Sequence, residues 1–130
     1  MNLEGSNGER LCAEIVKLDS TVIFASVGSF SGHEVAYSES PSMTALVGRS
    51  PVLKQKYCSI VASVVTSVKQ AEPLFGRATM ITSSFEKNLR MIVVPIYSQE
   101  IFVFLITNRE VDSKVLAVQV LKLLKRFQVS

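Results

Sequence analysis

Between Pro51 and about Gln70 the chain reads as one long helix, apolar around too much of its circumference for a single supporting surface. Ser50 suits an N-cap, and Pro51 suits the first helical position, where a missing amide donor is not needed. Pro73 and Gly76 close the segment. Apolar residues fill two neighbouring stripes. One holds Leu53, Tyr57, Ile60, Val64 and Val68, and the other Cys58, Val61, Ala62 and Val65. A helix resting on one sheet buries an arc somewhat over 100° wide, so the second stripe needs another cover. In a chain of one-domain length two covers are open. One is a second molecule. The other is the chain's own Ser38–Arg49 connection, in which Met43, Ala45, Leu46 and Val47 are apolar.

The rest of the chain, residues 1–130 as one domain, reads helix, two strands, helix, three strands, helix. Ser6-Asn7-Gly8-Glu9 has the form of a capping box, and Leu11, Cys12, Ile15, Val16 and Leu18 then form one face. Thr21–Val27 and His33–Tyr37 read as strands about a turn with two glycines, Gly28 and Gly32. A short helical turn is expected within Met43–Gly48. Three strands follow, at about Arg77–Phe85, Leu89–Tyr97 and Ile101–Ile106. The first alternates polar and apolar and suits an edge; the other two are nearly continuous in hydrophobicity and suit a centre covered on both faces. Pro95 cannot donate to a ladder, which predicts a bulge or strand end there. The last helix begins near Asp112 or Ser113 with the stripe Leu116, Val120, Leu123, Leu124 and Phe127.

These elements predict an α/β (α+β) fold: a three-layer sandwich around a five-stranded, mostly antiparallel sheet. The long helix is the only cover for its face. A helix is about 10 Å wide, and five strands at about 4.8 Å spacing make a sheet twice that width. Part of the sheet beside the helix therefore stays bare in a single copy, and a two-fold partner bringing an identical helix would cover it. The Arg77–Phe85 edge has no interior proline and few charges, so it is weakly protected against pairing. The interface expected from this is Cys58, Val61, Ala62 and Val65 on the helix with Thr79, Ile81 and Ser83 on the edge.

Catalytic and cofactor constellations are missing. His33, the sole histidine, has only Glu34 beside it and reads as a hairpin residue rather than a ligand or base. No G-x-S-x-G elbow occurs, which leaves Ser38–Ser42 as a solvated loop, and no phosphate-loop motif occurs. Arg49 and Arg77 have nothing to set them against a γ-phosphate. Cys12 and Cys58 fall on helix faces, outside any CxxC or Cys/His cluster, and read as small buried hydrophobes in a reducing cytosol. Lys114, Lys122, Lys125 and Arg126 read as a solvated face, with an acidic partner or membrane headgroups as the alternatives. A net charge of +3 falls short of a nucleic-acid signature. No secretory signal is expected, and Ile101–Ile106 is far shorter than the roughly 20 residues that span a bilayer. The expectation is a soluble cytoplasmic protein that is not an enzyme and carries no cofactor or metal. A small-molecule sensor remains open as a second class, with Thr79, Thr82 and Tyr97 as its candidate polar groups.

The order of elements resembles the roadblock/LC7 domain, which is profilin-like in architecture. The resemblance runs from Ser6 to Phe127. It is carried by Leu11-Cys12-Ala13-Glu14-Ile15-Val16, by Thr21-Val22-Ile23-Phe24-Ala25-Ser26, by the helix after Ser50-Pro51, and by Ile101-Phe102-Val103-Phe104-Leu105-Ile106. A longin-like trafficking adaptor is the neighbouring alternative, but longins begin with a strand. The resemblance implies homodimers, or heterodimers with a paralogous chain, formed through the long helix and third strand. It implies non-catalytic scaffolds or regulators of small Ras-like GTPases, or dynein light chains. By position, the docking surface it implies is Gln55, Lys56, Ser59, Ser63, Thr66 and Ser67. The long Ser38–Arg49 connection departs from bacterial relatives.

Overall fold

A computed structural model describes residues 6–43 and 51–127. Among them the elements come in the expected order: α1 (Ser6–Val16), β1 (Val22–Ser29), β2 (Glu34–Glu39), α2 (Pro51–Lys69), β3 (Ile81–Ser84), β4 (Arg90–Ile96), β5 (Ile101–Thr107) and α3 (Ser113–Arg126). A single helical turn, Glu72–Phe75, follows α2. Residues 41–43 are helical; the rest of the turn expected within Met43–Gly48, with Ala45, Leu46, Val47 and Arg49, lies outside the described residues.

The sheet order is β2-β1-β5-β4-β3, every neighbour antiparallel. The two continuous apolar strands, β4 and β5, are interior and β3 is an edge, as their patterns require. β1 runs further than expected because Gly28 and Ser29 pair with Phe102 and Ile101. The turn is carried by Gly32 alone, at φ 96°. β3 is shorter than the predicted Arg77–Phe85. Its ladder with β4 ends at Ile81–Val93, two residues before Pro95, and the Ala78 carbonyl is taken by the Tyr97 hydroxyl at 2.8 Å. Pro95 itself sits in regular register opposite Phe102, so no bulge forms there, and β4 ends one residue later at Ile96.

Two separate cores lie on the two faces. Under α1 and α3 the core is aliphatic: Leu11, Ile15, Val22, Val27, Val103, Leu105, Leu116 and Val120 among others. Under α2 it is aromatic, with Phe24, Phe102 and Phe104 beneath Cys58, Val61, Ala62 and Val65. α3 starts as predicted, with the Asp112 carboxylate accepting from the Lys114 and Val115 amides at 3.1 and 3.2 Å. Arg90, at the start of β4, ties down the approach to α3. It donates to the Val111 carbonyl and the Ser113 hydroxyl at 3.2 and 3.0 Å and pairs with Glu110 at 3.1 Å.

Candidate interaction surface

α2 presents three longitudinal strips. The first is the one pressed onto the sheet: Cys58, Val61, Ala62 and Val65, each 5% exposed or less. This corrects the expectation that these four residues meet a partner. They are sealed inside their own chain and cannot be a dimer interface. Side-chain volume explains the exchange of stripes. The sheet below is paved with rings, Phe24 and Phe104 at 5.6 Å and Phe102 and Phe104 at 5.9 Å between centroids. Only small helix residues let the backbone come down onto such a surface. The approach is closest at Gly28, where a Cβ would stand 2.6 Å from Cys58 Sγ and 2.6 Å from the Phe102 ring.

The second strip is the apolar flank left over. Tyr57, Val64 and Val68 are half-buried and Ile60 is 49% exposed. The Leu53 side chain, expected on the same strip, lies outside the described residues. Among the described residues the sheet beside the flank is bare, in line with the width argument. Met43, Tyr57, Ile60, Phe85, Leu89 and Met91 line an open cleft of about 270 Å³. Phe85, on its outer wall, is 52% exposed. Met43 itself is buried against the aromatic core, so the start of the Ser38–Arg49 connection helps to cover the ring layer.

The third strip is polar. Gln55, Lys56, Ser59, Ser63, Thr66 and Ser67 are all exposed, so the structure brings together on one face the residues implied by the family resemblance. Four of them, with Phe30, Ser31 and Gly32 of the β1–β2 turn, border a shallow groove. Gln55 Nε2 donates to the Gly32 carbonyl at 2.5 Å, and Lys69 Nζ lies 5.3 Å from the Phe30 ring centroid. The helix is thereby held to the hairpin along this strip.

Of the edge residues, Ile81 and Ser83 lie within β3 and share one face, half-buried, with Ile81 against the aromatic core. Thr79 is exposed and precedes the strand. Thr82 points away from α2, and the Tyr97 hydroxyl is already donated to Ala78. The three polar groups suggested for a small-molecule site therefore do not converge. His33 is exposed in the hairpin turn, and no metal-binding group of His, Cys, Asp or Glu occurs among the described residues. Burial pushes the thiols of Cys12 and Cys58 up to about 12, the charge of Glu34 adding to both. Arg77 is spent on Glu72 at 3.0 Å and on the Tyr97 ring at 5.0 Å. Lys114, Lys122, Lys125 and Arg126 are exposed on α3. Among the described residues no helix is long and apolar enough to cross a membrane.

Sequence reasoning missed Leu74 and Phe75, which stand 80% and 84% exposed on the turn after α2. The signal was an adjacent apolar pair fenced by Pro73 and Gly76. A helix-ending segment has no business displaying such a pair to water unless something covers it.

No family model matches the chain, and no curated protein does. Solved structures do. A roadblock/LC7 domain from Streptomyces avermitilis aligns at TM-score 0.74 and 15% identity, over 92% of this chain and 93% of that one. The gliding protein MglB from Thermus thermophilus aligns at TM-score 0.69 and 14% identity, over 91% and 85%. An MglB with a tetrameric arrangement aligns at TM-score 0.70 and 15% identity, over the same shares. The chain has the roadblock/LC7 fold.

Proposed function

We propose that this chain works by association. Two copies, or one copy and a paralogous chain, pair through the α2 flank and the β3 edge. The paired α2 helices then dock and regulate a small Ras-like GTPase through Gln55, Lys56, Ser59, Ser63, Thr66 and Ser67. The observation that carries this reading is the open apolar cleft between α2 and the β3–β4 turn, beside a sheet whose edge strand is β3. An unpaired edge and an apolar face side by side are the two halves of a sheet-extending interface. The corrected interface is Tyr57, Ile60, Val64 and Val68 with Thr79, Ile81 and Ser83. The tetrameric arrangement of one structural neighbour supports self-association in this fold. The cleft favours a protein over a small ligand, because its lining carries almost no polar group to fix a ligand's orientation.

Regulation would be positional. The docking face contains four hydroxyls, one amide and the Lys56 ammonium, with no carboxylate or histidine, so it acts by binding one nucleotide state of the GTPase better than the other. Light scattering tests the first step. The parent chain should be a dimer burying about 1,600 Å² in total, and Ile60→Asp should be monomeric yet folded. The second step is tested with a Ras-like GTPase from the same genome, loaded with GDP or a GTP analogue. A tenfold or larger preference for one state, lost in the Ser63→Arg, Ser67→Arg variant while the dimer persists, supports the reading. A monomeric parent, or equal affinity for both states, ends it.

A further inference from the structure

Leu74 and Phe75 are the most exposed large apolar side chains of the described residues. They do not hang on a loose loop. The amides of Leu74 and Phe75 both donate to the Ala71 carbonyl, at 3.0 and 2.9 Å, and the Gly76 amide donates to the Glu72 carbonyl at 2.9 Å. Arg77 ties the turn to Glu72 and stacks on Tyr97, whose hydroxyl holds Ala78. The pair is thus a preformed apolar knob, with little ordering left to be done on binding.

Beside α2 lies an apolar cleft of about 270 Å³ that is open among the described residues. A cavity of about 150 Å³ holds a benzene ring, so this one has room for a phenylalanine side chain and part of a leucine. The chain's own knob, 80% and 84% exposed at Leu74 and Phe75, does not fill it.

The strand order decides how knob and cleft can meet. The knob precedes β3, by six residues from Phe75 to Ile81, and the cleft's outer wall, Phe85 and Leu89, follows it. When two β3 edges pair antiparallel about a two-fold axis, the Ile81 end of one lies beside the Ser84 end of the other. The partner's turn is then delivered to this chain's Phe85 wall, and the reverse contact forms by symmetry.

We infer that Leu74 and Phe75 of each copy seat in the cleft between Ile60 and Phe85 of the other. This rests on the pairing proposed above and specifies it: each protomer completes its partner's aromatic core. The exchange is reciprocal, so the cleft and the turn belong to one contact made twice.

The chain contains no tryptophan, so Phe75→Trp is a clean optical probe. Its emission should shift to the blue over the concentration range in which light scattering reports dimer formation. Leu74→Ala with Phe75→Ala should raise the dimer Kd by about 100-fold or more and leave the circular dichroism spectrum and urea midpoint of the monomer unchanged. Complementation is the decisive arm. A protomer lacking the knob (L74A/F75A) mixed with one whose cleft is spoiled (I60D) regains one of the two contacts. The mixed dimer should be at least about tenfold tighter than either variant alone. A parent that dimerises while residue 75 stays solvated, or whose knobless variant pairs as well as the parent, overturns this inference and leaves the dimer standing. A monomeric parent overturns both.

Discussion

The two faces of the sheet are built from different materials under different amounts of cover. The face under α1 and α3 is aliphatic and two helices wide, with a groove beside α3 at Pro95, Ile96, Val118 and Leu121. The face under α2 is paved with phenylalanines, one helix wide, and open beside that helix. Branched aliphatic side chains make a low, even surface that two helices can tile. Rings bury more area each, about 150–250 Å², but they stand taller, and a helix settles on them only through small residues. Phe24, Phe102 and Phe104 therefore go with Cys58 and Ala62 above them. The larger residues of α2, Tyr57 and Ile60, are displaced to its flank. The chemistry of the ring layer both seats the helix and leaves its flank apolar.

The largest expected effect breaks this comparison at its centre. Val65→Asp sets a carboxylate on the ring layer with no partner. The cost exceeds about 4 kcal/mol, a large share of a total stability of order 5–15 kcal/mol, read as a strongly lowered urea midpoint. Ile60→Asp, on the open flank of the same helix, should leave the monomer's urea midpoint nearly unchanged. If Val65→Asp stays folded and only the mass changes, the assignment of the two stripes is reversed. Gly28→Ala sharpens the comparison at the point of closest approach. The added methyl meets both Cys58 and Phe102, and overpacking of this kind costs about 1–3 kcal/mol, read as a lower urea midpoint with an unchanged slope. The smallest effect belongs to the aliphatic face, at the turn from α1 into β1. The Thr21 amide and hydroxyl donate to the Asp19 carboxylate at 2.9 and 2.8 Å and hold it below its ordinary value. A group lowered by folding stabilises above its unfolded value of about 4 and loses that contribution as pH falls through its folded one. Acid titration of stability should therefore be shallower in Asp19→Asn.

Much of this was legible from residue order alone. Periodicity identified all eight elements, placed β4 and β5 in the interior, and put β3 on an edge. The start of α3 could be read from Asp112, because its cap is a local interaction. Which stripe of α2 faces the sheet was not legible from period, since both satisfy a helical repeat. The missing criterion was volume: Cys58 and Ala62 are the small members, and three phenylalanines on β1 and β5 needed small members opposite them. The length of β3 was hidden for another reason. Ala78 gives its carbonyl to Tyr97, nineteen residues away, and no local pattern announces such a contact. Leu74 and Phe75 were plain in the sequence, but their exposure follows only from where the turn after α2 points.

One cysteine lies in each helical layer. Cys12 is wholly buried beneath α1 and Cys58 wholly buried beneath α2, and both thiols are kept protonated. A thiol reagent reacts only with what lifts away. The chain thus carries a native stopwatch on each side, one timing the opening of the tiled roof and the other the opening of the half-roof. A second molecule clamped over α2 would slow the latter alone.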